Sequence, residues 1–132
     1  MTFTQTELDY LAGQPLGRLA TAKPDGTLQV SPVGFTYNAT LKTIDVHGYN
    51  MARSKKYRNV ADNGRVAFVV DDLASTNPWR PRCVEIRGRG EVAVDAKGTP
   101  IIRIHPQRVI GFGIDQVDTP AHSLQINARD IR

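Results

Sequence analysis

Apolar and polar residues alternate with a period of two along most of this chain, and the period lengthens to that of a helix in only two places. The first is near the N-terminus. Thr4-Gln5-Thr6-Glu7 has the form of a capping box, with Thr4 as N-cap and Glu7 reaching back. Phe3 and Leu8 occupy the staple positions, Leu8, Leu11 and Ala12 share a helical face, and Gly13 is a natural stop. The pattern predicts a helix from Gln5 to Ala12. The second is the basic stretch Met51 to Val60, where Tyr57, Val60 and Ala61 have the spacing of a core-facing stripe and Asn63-Gly64 ends the element.

The period-two segments read as strands. Leu16 to Ala22 is followed by the turn Lys23-Pro24-Asp25-Gly26 and a returning strand, Thr27 to Tyr37, which Pro32 marks as an edge or a bulge. A turn at Asn38 to Leu41 leads into Thr43 to Gly48. Beyond the basic helix come a strand from Arg65 to Asp71, a loop from Asp72 to Pro81, and a long strand from Cys83 to Val94 bent at Gly88 and Gly90. The turn Asp95 to Gly98 then gives two further strands, Pro100 to Ile104 and Gln107 to Ile114. From Gln116 to Arg132 the chain is polar and weakly patterned, and no role is assigned to it. Six or seven mostly antiparallel strands with short turns predict a mainly β domain closed into a barrel, because closure removes exposed edges. A doubly wound parallel sheet would need a helix after nearly every strand.

The 132 residues suit one domain, residues 1–132, and the 40% apolar content is that of a globular core. So short a chain is expected to complete its site across a homodimer interface. No stretch is apolar for long enough to span a bilayer, and the first residues carry no signal-peptide pattern. The single cysteine, Cys83, fits a reducing, cytoplasmic setting. A net charge of +4 favours an anionic partner. Nucleic acid is the poorer candidate, since aromatic residues are not interleaved with the basic ones.

Candidate chemistry gathers at the second helix. A helix start leaves backbone N–H groups unpaired and favours negative charge, yet Arg53, Ser54, Lys55 and Lys56 place cations and a hydroxyl there. That combination suits a phosphate. His47 closes the preceding strand and could line the same cleft, or serve as a structural histidine. Trp79, between prolines and arginines, either stacks on a flat ring or plugs its own loop, and Arg80 and Arg82 could bind an oxyanion bidentately. Asp71-Asp72 is read as capping the following loop. Metal-ligand spacing, a P-loop and an activated nucleophile are all missing from the sequence, so any redox chemistry is expected from a cofactor.

Several motifs in order resemble a known family: Leu16 to Thr21, Pro24 to Thr27, Val30-Ser31-Pro32-Val33-Gly34-Phe35, Ser54 to Val60 with Arg65 to Asp72, Ala74 to Arg82, and Arg108 to Asp115. Together they resemble the pyridoxamine 5'-phosphate oxidase-like split-barrel superfamily. Within it they are similar to the coenzyme F-420-dependent branch and the subgroup that holds the oxytetracycline-pathway reductase. The resemblance implies a six-stranded antiparallel split β-barrel of the FMN-binding type, forming a homodimer with cofactor sites at the subunit interface. It implies a deazaflavin, coenzyme F-420, with FMN as the alternative. Lys56 would be the chief phosphate ligand, helped by Ser54, Lys55 and Arg53. Ser31, Pro32 and Val33 would line the ring, with His47 and Gly48 near it. Trp79 and Arg82 would flank the ring or tail, in one chain or from its partner. The activity implied is hydride transfer to an unsaturated organic substrate, with His47 or Tyr49 as candidate proton donors. A non-catalytic cofactor carrier on the same fold is the remaining alternative.

Overall fold

The computed structural model describes residues 1–116 and 118–132. Helix α1 (Gln5–Ala12) is followed by strands β1 (Gly17–Ala22), β2 (Leu28–Asn38) and β3 (Thr43–His47), then a 3-10 turn (Met51–Arg53) and helix α2 (Lys55–Asn63). Strands β4 (Arg65–Thr76), β5 (Trp79–Val94) and β6 (Pro100–Phe112) come next, then a second 3-10 turn (Ala121–Ser123) and β7 (Asn127–Asp130). The capping box at Thr4 and Glu7 forms in both directions.

The strands run in the order β3-β2-β1-β4-β5-β6-β7, and an added β3–β6 pairing joins the first six into an antiparallel barrel. The barrel is split at β2. Its first half, Leu28 to Val33, pairs with β1, and its second half, Gly34 to Asn38, pairs with β3. Each half therefore has one side without a strand neighbour. Helix α1 packs over the second half, where Phe3 meets Tyr37 edge-on at 5.5 Å. Pro32 lies in the first half, opposite Arg18, where β2 has a strand neighbour on one side only, a position that tolerates proline.

The core is one layer of inward side chains. Leu19, Phe68, Ile86 and Val109 share a row across β1, β4, β5 and β6, each at most 1% exposed. Phe35 meets Phe68 at 5.2 Å. A Cβ at Gly17 would lie 2.3 Å from the Phe68 ring, so glycine is what admits that ring. The β3–β6 seam carries a buried ion pair. Asp45 accepts from Arg103 Nε at 3.1 Å and Nη2 at 3.2 Å, and from Thr43 and Asn38. Burial alone would raise the Asp45 pKa, but these bonds outweigh it and hold the carboxyl below the usual range.

Three expectations need correction, and the unassigned tail gains a strand. The stretch Asp72 to Pro81 is not a loop, because β4 runs to Thr76 and β5 begins at Trp79. Pro78 sits in the turn and Pro81 beside a register shift between Leu73 and Ser75, so neither proline stops the hairpin. The two strands expected from Pro100 to Ile114 are one. Arg87 pairs with Arg108 but Gly88 with Pro106, so Gln107 is the extra residue of a bulge that accommodates the proline. A Cβ at Gly88 would lie 2.2 Å from the His105 carbonyl oxygen, which explains the glycine. The polar tail forms β7 against Arg108 to Gly111. Finally, Ala61 is exposed, and Asn59 takes the buried place beside Val60.

Candidate functional site

The side of Leu28–Val33 away from β1 is the open edge of the barrel, and α2 packs chiefly against β1 and β5 and reaches β2 through a side-chain bond. Two contacts fix that placement. At one end the Met51 side chain packs at Gly48, which follows His47, the partner of Gly34. At the other, Asn59 donates to Thr21 Oγ1 at 3.0 Å and to Gln29 Oε1 at 3.3 Å. The basic residues 53 to 56 lie in the stretch between those two anchors. The structure thus places Gly48 beside the turn that carries Arg53 and Ser54, while Ser31 and Val33 lie on the strand to which Asn59 is tied at Gln29.

Ser54 is the N-cap of α2. Its Oγ accepts from the Tyr57 N–H at 3.2 Å and donates to the Met51 carbonyl at 2.7 Å, so the hydroxyl is fully engaged in the fold. The backbone N–H groups of Lys55 and Lys56 have no acceptor within the helix. The first turn carries no acid. Among the described residues no carboxylate pairs with Arg53, Lys55 or Lys56. Lys56 is half-buried, while Lys55 and Arg53 are exposed. Two residues along β2 from Gln29, Ser31 Oγ is buried and has no hydrogen-bond partner among the described residues. A buried hydroxyl left alone is costly, so one more polar group is left for a ligand to satisfy. This donor set fits a phosphorylated ligand.

The remaining expected residues lie elsewhere. Along β2, Gln29, Ser31, Val33, Phe35 and Tyr37 point inward, and Val30, Pro32, Gly34 and Thr36 point outward. His47 shares the outer face, with its Nε2 2.8 Å from Thr36 Oγ1. Pro32 and His47 thus sit on the opposite face from Ser31 and Val33. Trp79 lies six residues along β5 from Glu85, the position level with Pro32 across β1 and β4, which is roughly 20 Å of strand. Within one chain Trp79 does not meet Lys56. It is 57% exposed and lines an open outer groove of about 790 Å³ with Arg18, Val69, Leu73, Pro81 and Phe112.

Arg82 belongs to a different cluster. It is bound in fork fashion to Asp72, which also accepts from Tyr10 Oη at 2.9 Å and Gln14 Nε2 at 3.3 Å, and its guanidinium lies 5.3 Å from the Tyr10 ring centre. The bond to Arg82, above all, holds the Asp72 carboxyl below the usual range. Burial and the bond to Asp72 push the Tyr10 phenol upward. This cluster docks α1 on the barrel. Asp72 therefore pairs across a hairpin instead of capping a loop, and Asp71 pairs with Arg18. Cys83 is buried, and burial pushes its thiol up to about 11, so it is a poor nucleophile at neutral pH. Among the described residues no group of acids, histidines and cysteine could hold a metal ion. Sequence reading passed over Asn59 and Gln29. An asparagine on a helix carries no visible mark of burial, and only the alignment of Asn59 with Val60 on the inner side reveals it.

Comparison with known proteins agrees with this architecture. The family model for pyridoxamine 5'-phosphate oxidase matches residues 3–131. The chain belongs to that family. As a member of the pyridoxamine 5'-phosphate oxidase family, it is 41% identical to the 5a,11a-dehydrotetracycline/5a,11a-dehydrooxytetracycline reductase of Streptomyces rimosus, over 98% of this chain and 97% of that one. Among solved structures, a conserved hypothetical protein from Mycobacterium tuberculosis superposes with a TM-score of 0.71 at 18% identity, covering 93% of this chain and 92% of that chain. The FAD binding protein from Mycobacterium smegmatis superposes at 0.63 with 22% identity, covering 83% and 93%. These two show the shared fold. No helix among the described residues is long and apolar enough to cross a membrane.

Proposed function

We propose that this protein is a reductase that uses a phosphorylated flavin-type cofactor, coenzyme F-420 in the first instance, to reduce a conjugated double bond in a polycyclic organic substrate. The observation that carries the reading is near full-length identity of 41% with a protein named as a dehydrotetracycline reductase. The helix start supports it independently, since among the described residues its cations lack acids, and Ser31 Oγ on the neighbouring β2 lacks a partner.

The residues divide the work as follows. The backbone N–H groups of Lys55 and Lys56 and the Lys56 ammonium hold an oxyanion against the positive end of α2. Ser31 donates or accepts at the ligand's edge, and Val33 offers an apolar wall beside it. A bound reduced deazaflavin supplies the hydride equivalent. With such a cofactor bound, the substrate would gain a hydride on one carbon and a proton on the neighbouring carbon, so the double bond would be consumed. His47 and the fully exposed Tyr49 stand on the outer side of the β3 end as candidate proton carriers. The Trp79 groove offers flat apolar surface for a ring system.

A homodimer belongs to this reading. The outer face of β2 exposes Leu28 and Val30, at 75% and 67%, beside the small outward residues of β1 and β4. A second copy would cover that strip and could bring its own Trp79 toward the first copy's helix start. Light scattering of the purified protein is expected to give twice the chain mass.

Fluorescence titration with F-420 and FMN tests the cofactor, and loss of reduced-cofactor absorbance with 5a,11a-dehydrotetracycline tests the reaction. Tight F-420 binding with substrate-dependent oxidation is the expected outcome. FMN is the runner-up, favoured by the resemblance in fold to a protein named as FAD binding. Tighter binding of FMN would move the assignment to it. Binding of either without turnover on any unsaturated polycycle would favour a carrier.

A further inference from the structure

Helix α2 carries two asparagines one turn apart, and both are spent on the barrel. Asn63 Nδ2 donates to the Ala22 carbonyl at 2.7 Å. Asn59 is 5% exposed, and its one amide nitrogen serves two acceptors on different strands, Thr21 Oγ1 on β1 and Gln29 Oε1 on β2. Thr21 is itself 2% exposed. A helix that only plugged the barrel would do so with apolar side chains, and Val60 already does, packing where a Cβ at Gly90 would intrude at 3.1 Å. The polar link instead fixes α2 along its axis. An apolar contact tolerates sliding, whereas a hydrogen bond has a narrow range of length and angle.

The direction of that constraint matters. Asn59 is three residues beyond Lys56 and four beyond Lys55, so it stands one turn from them on the same helical face. Gln29 is two residues before Ser31 on the same strand face. The link therefore ties the helix, one turn from Lys56 and the unpaired N–H groups, to the strand that carries Ser31. A shift of α2 by a fraction of an ångström would alter the fit of an oxyanion held between them.

We infer that Asn59 is a positioning residue of the cofactor site, which sets the separation between the basic start of α2 and the open edge of β2 through its bonds to Thr21 and Gln29. The inference rests on the reading of that gap as the cofactor's anion site. Asn59 touches no ligand itself and acts through Lys56 and the helix N–H groups.

The test is a double-mutant cycle on the full-length protein, with F-420 and FMN affinities read by fluorescence and folding read by thermal denaturation. Asn59→Ala is expected to weaken binding about tenfold at a temperature well below its unfolding midpoint, the scale of losing one or two hydrogen bonds. Because Asn59 acts through Lys56, Asn59→Ala combined with Lys56→Ala is expected to lose only about threefold more than Lys56→Ala alone. Thr21→Val guards against a variant that fails to fold, since it removes one acceptor while keeping the shape. It is expected to weaken binding severalfold, and Thr21→Ser to restore it. Asn59→Ala and Thr21→Val binding as well as the unaltered protein, with Lys56→Ala still impaired, would overturn this inference and leave the anion site standing. Additive losses in the cycle, or a lowered midpoint with unchanged affinity, would overturn it in the same way. Unchanged binding by Lys56→Ala would overturn the anion site and this inference together.

Discussion

Two groups of cations in this barrel are built on opposite principles. At the seams, arginines are matched to acids. Arg103 meets Asp45 where β3 closes on β6, Arg82 meets Asp72 beneath α1, and Arg129 of β7 meets Glu7. At the start of α2, Arg53, Lys55 and Lys56 have no acid among the described residues, although the helix dipole there favours one. The first group is part of the fold. The second, on the proposed reading, is left for a charge from outside. Number and type of charge do not separate the groups, since arginines occur in both. What separates them is whether the neighbouring strand supplies a carboxylate.

The largest expected effect breaks the first group. Asp45→Ala would leave Arg103 without its buried partner and is expected to destabilise the fold by about 3 kcal/mol, read by urea denaturation. Cofactor affinity measured under folding conditions should change little. A large loss of affinity with little loss of stability would erase the distinction. Next in size is Lys56→Ala, expected to weaken cofactor binding at least about tenfold, or about 1.4 kcal/mol, with an unchanged denaturation midpoint. Unchanged affinity in the titration would remove Lys56 from the site.

The smallest effect concerns acid. The folded state holds the Asp72 pKa below its ordinary value, chiefly through Arg82, so ionised Asp72 stabilises the fold at neutral pH. That contribution is present above the ordinary carboxylate range and is lost as pH falls through the depressed folded value. Asp72→Asn should therefore lower stability at neutral pH and flatten its fall in acid. An acid limb as steep as the unaltered protein's would show that Asp72 contributes little.

Much of this fold was legible because local chemistry and tertiary need agree. The capping box placed α1 to the residue, and alternation found β1 and β3 within a residue at their ends. Errors arose where distant pairing overrode a local signal. Pro106 reads as a break until Gly88 and the bulge at Gln107 are seen to absorb it. Pro78 and Pro81 read as a loop until the Asp72–Arg82 pair is seen to carry the hairpin beyond them. The tail lacks pattern because β7 is only four residues long and takes its register from β6. At the site, the basic helix start was visible, since dipole and charge conflict within the segment itself. The commitment of Arg82 to Asp72, and the division of Ser31 from His47 by the sheet, depend on register and could not be read from composition.

Arg129 reaches back to bind both Glu7 oxygens, at 2.6 and 2.8 Å, and the Thr2 carbonyl at 2.7 Å. Glu7 is 2% exposed and also closes the capping box. The last strand is therefore a clasp on the first helix, and clipping it would strand a carboxylate in the interior. Anyone trimming this protein for crystals, or fusing a reporter near either end, should expect the far end to notice.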